Sequence, residues 1–228
     1  MGRAKEIIVK VIPAKIANDF VRRVHYSHKV VSNSQVHFGA FLDGQLHGVM
    51  SFGCSMDKSK IITLVKNTGW NEFIELNRMA FDEYLPTNSE SRCISIAIKL
   101  IKKNAPHIKW IVSFADGAQC GDGTIYRASG FLLTQIKKNT TIKSDKNGNI
   151  VADITISAHN PKLLSDFRKN FKPVNGYQLR YIYFIDKTAK DRLTVPILPF
   201  SKIDEMNAGM YKGERITQAE RHNKKQPE

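Results

Sequence analysis

The chain has few cysteines, three in 228 residues, and Cys54, Cys93 and Cys120 include no Cys-x-x-Cys pair. An odd count without paired spacing excludes both a disulfide framework and a structural zinc site as the organising device. No apolar run is long enough to span a bilayer, and Met1-Gly2-Arg3-Ala4-Lys5 opens no signal-peptide core, so the expected workplace is aqueous, without a membrane partner. Internal repeats are absent. Acidic residues are scarce as well: 21 Asp and Glu stand against 35 Lys and Arg, a formal charge of +14. That imbalance points to a polyanionic partner, because each phosphate neutralised by Lys or Arg releases a condensed counterion.

What is present suits a folded protein. Hydrophobic residues make up 42% of the chain, which argues against wholesale disorder, and the length fits one domain with an appendage. Glu6 to Val11 reads as a first strand stopped by Pro13. Ala14 to Arg23 has helical spacing at Ile16 and Phe20 and ends at His25-Tyr26-Ser27-His28. Val36 to Phe41 and Leu46 to Phe52 form a hairpin around Asp43-Gly44, a pair suited to the positive backbone angles of a tight turn. Phe73 to Phe81 is a further strand. Pro86-Thr87-Asn88-Ser89-Glu90 announces a helix, with Thr87 as cap and Glu90 reaching back in a capping box. After Asn104 and Pro106 comes a strand from Ile108 to Phe114.

That strand opens the most informative segment, Trp110 to Phe131. An apolar run ends in Asp116, a loop bearing Gly117, Gly121 and Gly123 follows, and a short helix around Tyr126 closes at Gly130-Phe131. Polar groups thus gather at the carboxyl end of a strand, where open α/β sheets place ligands. Asp116 can act as a proton acceptor, and its simpler role is to cap the loop. Tyr126 can protonate a leaving group, stack on a base, or sit in the core. Arg78, alone in an apolar strand, needs a phosphate, a cofactor, or Glu75 or Asp82 as partner. Ser91 lies in the first turns of the central helix, where free amides can hold an anionic or carbonyl group, or it faces solvent. Cys120 is a candidate nucleophile without an adjoining histidine. His25 and His28 share a face if their helix persists, and with Asp116 they would complete a facial iron triad. From Lys137 onward, cations including Lys138, Arg180, Lys187 and Arg192 interleave with Tyr177, Tyr181, Tyr183 and Phe184, the composition of a nucleic-acid groove or of a solvated basic surface.

The element order with Tyr126-Arg127-Ala128-Ser129-Gly130-Phe131 at its end resembles the acyl-CoA-dependent N-acetyltransferase (GNAT) fold. A sharper resemblance is carried by Glu75-Leu76-Asn77-Arg78, Leu85 to Arg92, Ser113 to Gly117 and Gly121 to Tyr126. Together with His25-Tyr26 and Gly176-Tyr177-Gln178-Leu179-Arg180-Tyr181, these stretches look like the phage Mom proteins. The resemblance implies an α/β fold, a GNAT-like mixed central sheet flanked by helices with a basic C-terminal extension. Three parts are expected: a catalytic core over 1–140, a basic β-rich extension over 141–206 that contacts DNA, and a mobile polar tail over 207–228. The implied activity is transfer of a carbamoylmethyl or related acyl-derived group to the exocyclic amine of adenine in double-stranded DNA, shielding phage DNA from host restriction in the bacterial cytoplasm. Asp116, Tyr126, Arg78 and Ser91 would be catalytic. Ser91, Arg78 and Tyr126 would hold the donor, and His25, Tyr26 and Asp116 a ferrous ion. Lys137, Lys138, Arg180, Lys187 and Arg192 would contact DNA, and the oligomeric state, a homodimer included, stays open. In one respect the chain departs from the acetyltransferases: Thr87 to Arg92 has no glycine, so bulky side chains keep a CoA pyrophosphate from the helix amides. That counts against acetyl-CoA and leaves an acyl or glycine-derived donor. The alternatives are a conventional N-acetyltransferase of a protein or small amine, and a non-catalytic DNA-binding protein.

Overall fold

A computed structural model describes residues 3–144, 148–153, 156, 162, 164–217 and 220. A 3-10 turn, Arg3–Glu6, precedes β1 (Ile8–Val11), and α1 (Ala14–Val24) follows directly on Pro13. Ala17, Phe20 and Val21 form one stripe of α1, and they bury it against Val49 and Ala80. The hairpin of β2 (Ser34–Leu42) and β3 (Gln45–Gly53) turns at Asp43 (φ 51°) and Gly44 (φ 77°), the paired positive angles that a two-residue turn needs. A short helix α2 (Lys58–Ile61) leads to β4 (Phe73–Phe81) and then α3 (Ser89–Asn104). One face of α3, with Cys93, Ile94, Ala97, Ile98 and Ile101, is buried. Next come β5 (Trp110–Gly117), α4 (Thr124–Ala128) and β6 (Leu132–Lys138). The rest contributes β7 (Ile142–Ser144), β8 (Ile150–Ala152), β9 (Lys172–Pro173), β10 (Tyr177–Phe184), β11 (Met210–Tyr211) and β12 (Glu214–Arg215).

Seven strands form one sheet in the order β1-β2-β3-β4-β5-β10-β6. The first four are antiparallel neighbours and β4 pairs with β5 in parallel, so the chain is a mixed α/β protein with helices flanking a large sheet. Among the described residues no helix is long and apolar enough to cross a membrane.

Two compact units emerge. The first comprises Met1–Phe114, Thr124–Thr134 and Arg180–Ile197, and the second Ala115–Gly123, Gln135–Leu179 and Leu198–Glu228. In the first, Phe73 stacks on Trp110 with centroids 4.5 Å apart, in a core with Val112, Ile182 and Phe184. In the second, β7 lies between β8 and β9, and Asn139 ties the chain around it by donating to the carbonyls of Ile142 and Val174, each at 2.7 Å. This partition differs from a boundary after residue 140, because β10 enters the large sheet between β5 and β6 and returns 180–197 to the first unit.

Two local expectations are corrected. The helix after Pro86 starts at Ser89 behind Asn88, whose left-handed φ of 69° puts Thr87 outside the cap position, and no side-chain cap bond forms. The capping box is therefore absent. The stretch from Asn207 is structured up to residue 217, since Ala208, Met210 and Ile216 are buried and β11 pairs with β12. Residues 218, 219 and 221–228 of the expected tail lie outside the described residues.

Gly53 and Gly44 separate two uses of glycine. A Cβ at Gly53 would collide with the Asn33 carbonyl oxygen, whereas Gly44 has open space around it and only its φ of 77° to protect. Gly53→Ala is expected to cost up to about 3 kcal/mol by overpacking, and Gly44→Ala about 1 kcal/mol by backbone strain. Urea denaturation reads both as a lowered midpoint with an unchanged slope.

Candidate functional site

The polar interior of the first unit starts from a break in strand register. Ser51 pairs with Arg78, but Phe52 pairs with Leu76, so Asn77 is an extra residue in β4. Such a bulge resets the alternation of side chains. Glu75 and Arg78, three apart and destined for opposite faces of a regular strand, thereby share the face that carries Phe73 and Ala80. Asn77 is held by the Ser34 hydroxyl, which donates to its Oδ1 at 2.9 Å. Pairing of β4 with β5 is registered from Phe73↔Trp110 to Leu76↔Ser113, before the bulge, and Ser113 Oγ donates to the Leu76 carbonyl at 2.8 Å.

A polar row crosses three strands at Arg78. His37 pairs with Ser51 and Ser51 with Arg78, and His37 Nδ1 lies 2.8 Å from Ser51 Oγ. His37 and Ser51 are both buried, and burial lowers the pKa of His37. Above the row, His25 Nε2 lies 3.4 Å from Arg78 Nη1, while its Nδ1 lies 2.9 Å from the Ser27 hydroxyl. Burial, then the charges of Arg78 and His28, push the His25 pKa down to about 3. The ring is neutral, so no second cation stands beside the guanidinium, and its Nδ1 accepts from the Ser27 amide at 3.1 Å.

Glu75 is the titratable centre of this group. Burial drives its pKa up to about 7, while the Ser55 hydroxyl and, through space, the Arg78 guanidinium pull it down. Its neighbour across β5 is the apolar Val112. A carboxyl in this setting exchanges a proton near neutral pH, as a general base must.

The residues expected to act fall into different places. Arg78 and His25 meet as described. Tyr26 is 42% exposed, with its ring 4.3 Å from that of His25. Tyr126 is buried in α4 against Phe131 and Tyr181, with centroids at 5.4 and 5.2 Å. The α4 end follows the expected Gly-Phe pattern: Gly130 has a φ of 81° and the Phe131 amide donates to the Tyr126 carbonyl at 3.0 Å. Ser91 Oγ donates to the Asn88 carbonyl at 3.2 Å, inside its own helix turn. In the second unit, Asp116 accepts from the Ala118 amide at 3.1 Å and from Gln119 Nε2 at 2.7 Å, which fixes the loop. Cys120 is no activated thiol, because burial and the Asp116 carboxylate both raise its pKa.

Among the expected DNA contacts, Lys137, Lys138 and Lys187 are exposed. Arg180 is not available: it is 9% exposed, and its Nε donates to Thr134 Oγ1 at 3.0 Å. Arg192 donates from one nitrogen to two backbone carbonyls of the first unit. The expected pairing of His25 with His28 on one helix face does not arise either. α1 ends at Val24, so His25 and His28 do not share a helix face; His28 is exposed and His25 turns to a guanidinium. No group of three His, Cys, Asp or Glu suited to a metal ion occurs among the described residues. Glu75, placed in the sequence only as a partner for Arg78, is the residue that reading undervalued. A carboxylate inside a strand rich in apolar residues was its available signal.

Comparison with known proteins places these residues in context. Residues 6–202 match the Mom protein family. The methylcarbamoylase Mom of Escherichia phage Mu is 33% identical over 200 residues, covering 85% of this chain and 82% of that protein. Similar solved structures include an IAA acetyltransferase from Bacillus cereus ATCC 14579, at a TM-score of 0.46 and 12% identity over 78% of this chain and 99% of that one. Another is the ribosomal-protein-S18-alanine N-acetyltransferase from Escherichia coli, at 0.45 and 9% over 78% and 94%.

The raised pKa of Glu75 has a stability signature of definite sign. Between its ordinary value of 4.5 and about 7 the folded chain holds a proton that the unfolded chain has released, so stability falls as pH rises through that window. Glu75→Gln removes this loss. Its stability relative to the parent is expected to improve by up to about 3 kcal/mol across the window, as read by urea denaturation at a series of pH values. A constant difference would show that the carboxyl titrates normally.

Proposed function

The chain belongs to the Mom protein family, and from that premise we propose that it is a transferase modifying adenine in double-stranded DNA. The group added to the exocyclic amine is carbamoylmethyl or a related acyl-derived unit, and the modification shields phage DNA from restriction in the host cytoplasm. The observation that carries the mechanism is the Glu75 carboxyl, partly buried beside Arg78 with a pKa of about 7.

The chemistry asks for such a group. The amine nitrogen of adenine is a poor nucleophile, because its lone pair is delocalised into the ring. As the nitrogen bonds to the electrophilic carbon of an activated carbamoylmethyl donor, the bond to the leaving group breaks and that group departs with its electron pair. The nitrogen must then lose a proton. Glu75, as carboxylate, accepts it, and a carboxyl titrating near the working pH serves this purpose better than one at the ordinary value. Arg78 supplies a positive charge for the anionic side of the donor or leaving group, and neutral His25 sets no second charge beside it. Since the amine lies inside the duplex, the base is expected to be flipped out before reaction. No step here requires a metal ion.

Mass spectrometry of nucleosides from DNA of cells expressing the protein tests this reading. A modified adenosine is expected with the parent chain and not with Glu75→Gln, and in vitro the rate should rise with pH and level off above about 7. Asp116→Ala and Tyr126→Phe, carried by the family resemblance, are each expected to reduce product severely while remaining folded. Unmodified DNA in the presence of the folded parent chain and a competent donor would overturn the assignment.

The donor carries its own prediction. With Thr87-Asn88-Ser89-Glu90-Ser91 in place of glycines at the start of α3, acetyl-CoA is expected to bind weakly or not at all in calorimetry. A low-micromolar complex would revive a conventional N-acetyltransferase.

A further inference from the structure

The chain has two tryptophans, and they are used in opposite ways. Trp110 is wholly buried, whereas Trp70 is 56% exposed. Lys58 Nζ lies 4.6 Å from the centre of the Trp70 ring, a cation over one face of an indole otherwise left to solvent.

The loop that presents Trp70 is braced from several sides. Arg192 Nη1 donates to the carbonyls of Lys66 and Asn67 at 2.6 and 2.7 Å, and the Lys66 amide donates back to the Arg192 carbonyl at 2.9 Å. Val65 bridges to Leu193. From below, Trp110 Nε1 donates to Thr68 Oγ1 at 3.2 Å. An exposed indole on a loop held this firmly is preorganised for a partner, because little conformational freedom remains to be lost on contact.

The surrounding charges specify the partner. Lys66, Lys187 and Lys190 are exposed on the loop and on the 3-10 turn Lys187–Arg192 joined to it. Three acids of this surface are engaged elsewhere. Asp57 pairs with Lys60 at 2.6 Å, Glu72 accepts from the Gly69 amide at 2.8 Å, and Asp186 accepts from the Thr188 amide at 3.0 Å. Lys66, Lys187 and Lys190 are therefore exposed on the braced loop and turn, with Lys187 Nζ 5.3 Å from the Tyr183 ring centre. Asp57 is taken by Lys60, and Glu72 and Asp186 by backbone amides, leaving Asp191.

We propose that the loop from Lys66 to Trp70 and the turn from Lys187 to Arg192 form one DNA-contacting surface. In it Lys66, Lys187 and Lys190 take phosphates and Trp70 meets the sugar or base edge beside them. Arg192 is the brace of this surface and not one of its phosphate ligands. The inference rests on DNA being the substrate and adds where the duplex is held, at residues distinct from Glu75 and Arg78.

The test is a fluorescence titration of the full chain with a short DNA duplex at several salt concentrations. Trp70 emission is expected to change on binding and that change to vanish in Trp70→Phe, with Trp110 silent. Trp70→Ala is expected to weaken binding about tenfold, and Lys66→Ala and Lys190→Ala each to flatten the dependence of log K on log salt by about 0.9. Circular dichroism confirms that these surface variants are folded. Duplex binding by the parent chain with no Trp70 response and unchanged salt slopes in all variants overturns this surface and leaves the DNA reading standing; Lys137 and Lys138 would then be the cations to vary. No duplex binding by the folded parent chain removes the DNA reading itself.

Discussion

The polar interior depends on the conflict between strand geometry and the placement of charge. A regular strand sends residues three apart to opposite faces, and the sequence Glu75-Leu76-Asn77-Arg78 would then separate its carboxylate from its guanidinium. The extra residue at Asn77 reverses this and aligns both with Phe73 and Ala80. From that alignment follow the pull of the Arg78 guanidinium against the burial that raises the Glu75 pKa, the row through Ser51 and His37, and the charge that adds to burial in keeping His25 neutral. A carboxyl kept out of water is destabilising in its charged form, so the fold carries an energetic burden here that an apolar residue would remove. Such burdens cluster at functional sites.

Much of this was legible in the sequence, for reasons that differ by element. The Asp43-Gly44 turn and the Gly130-Phe131 helix end are local events, fixed by the few residues able to take positive φ. The stripe of α3 was readable because helical periodicity survives over sixteen residues. The bulge was not, since nothing in Asn77 itself announces that β3 will skip a partner; register belongs to two strands at once. The start of α3 escaped for a related reason. Thr87 and Asn88 are both good caps, and the backbone conformation at Asn88 decided between them.

Charge counting by sequence treats all basic residues as equal, and the fold does not. Arg180 spends its guanidinium on Thr134 inside the sheet, and Arg192 spends Nη1 on two carbonyls. Both arginines act as struts, a role suited to a planar group with several donors. Most of the described lysines keep their charge in solvent, Lys143 being a buried exception 3.5 Å from Asp153. The outward field of the chain is thus carried mainly by flexible ammonium groups.

The position of β10 also governs how the chain comes together in time. It lies between β5 and β6 although about forty residues separate it from β6 in the sequence. As the chain leaves the ribosome, β5 and β6 have no shared partner until Tyr177–Phe184 has been made. The Val65 to Leu193 bridge and the hold of Arg192 on Lys66 close loops longer still. Long loops are entropically slow to shut, so these contacts belong to the last phase of folding. A nascent chain consequently exposes an unfinished sheet edge for most of its synthesis, and its order arrives as a late, concerted event when the strand from the far end of the sequence is drawn into the gap.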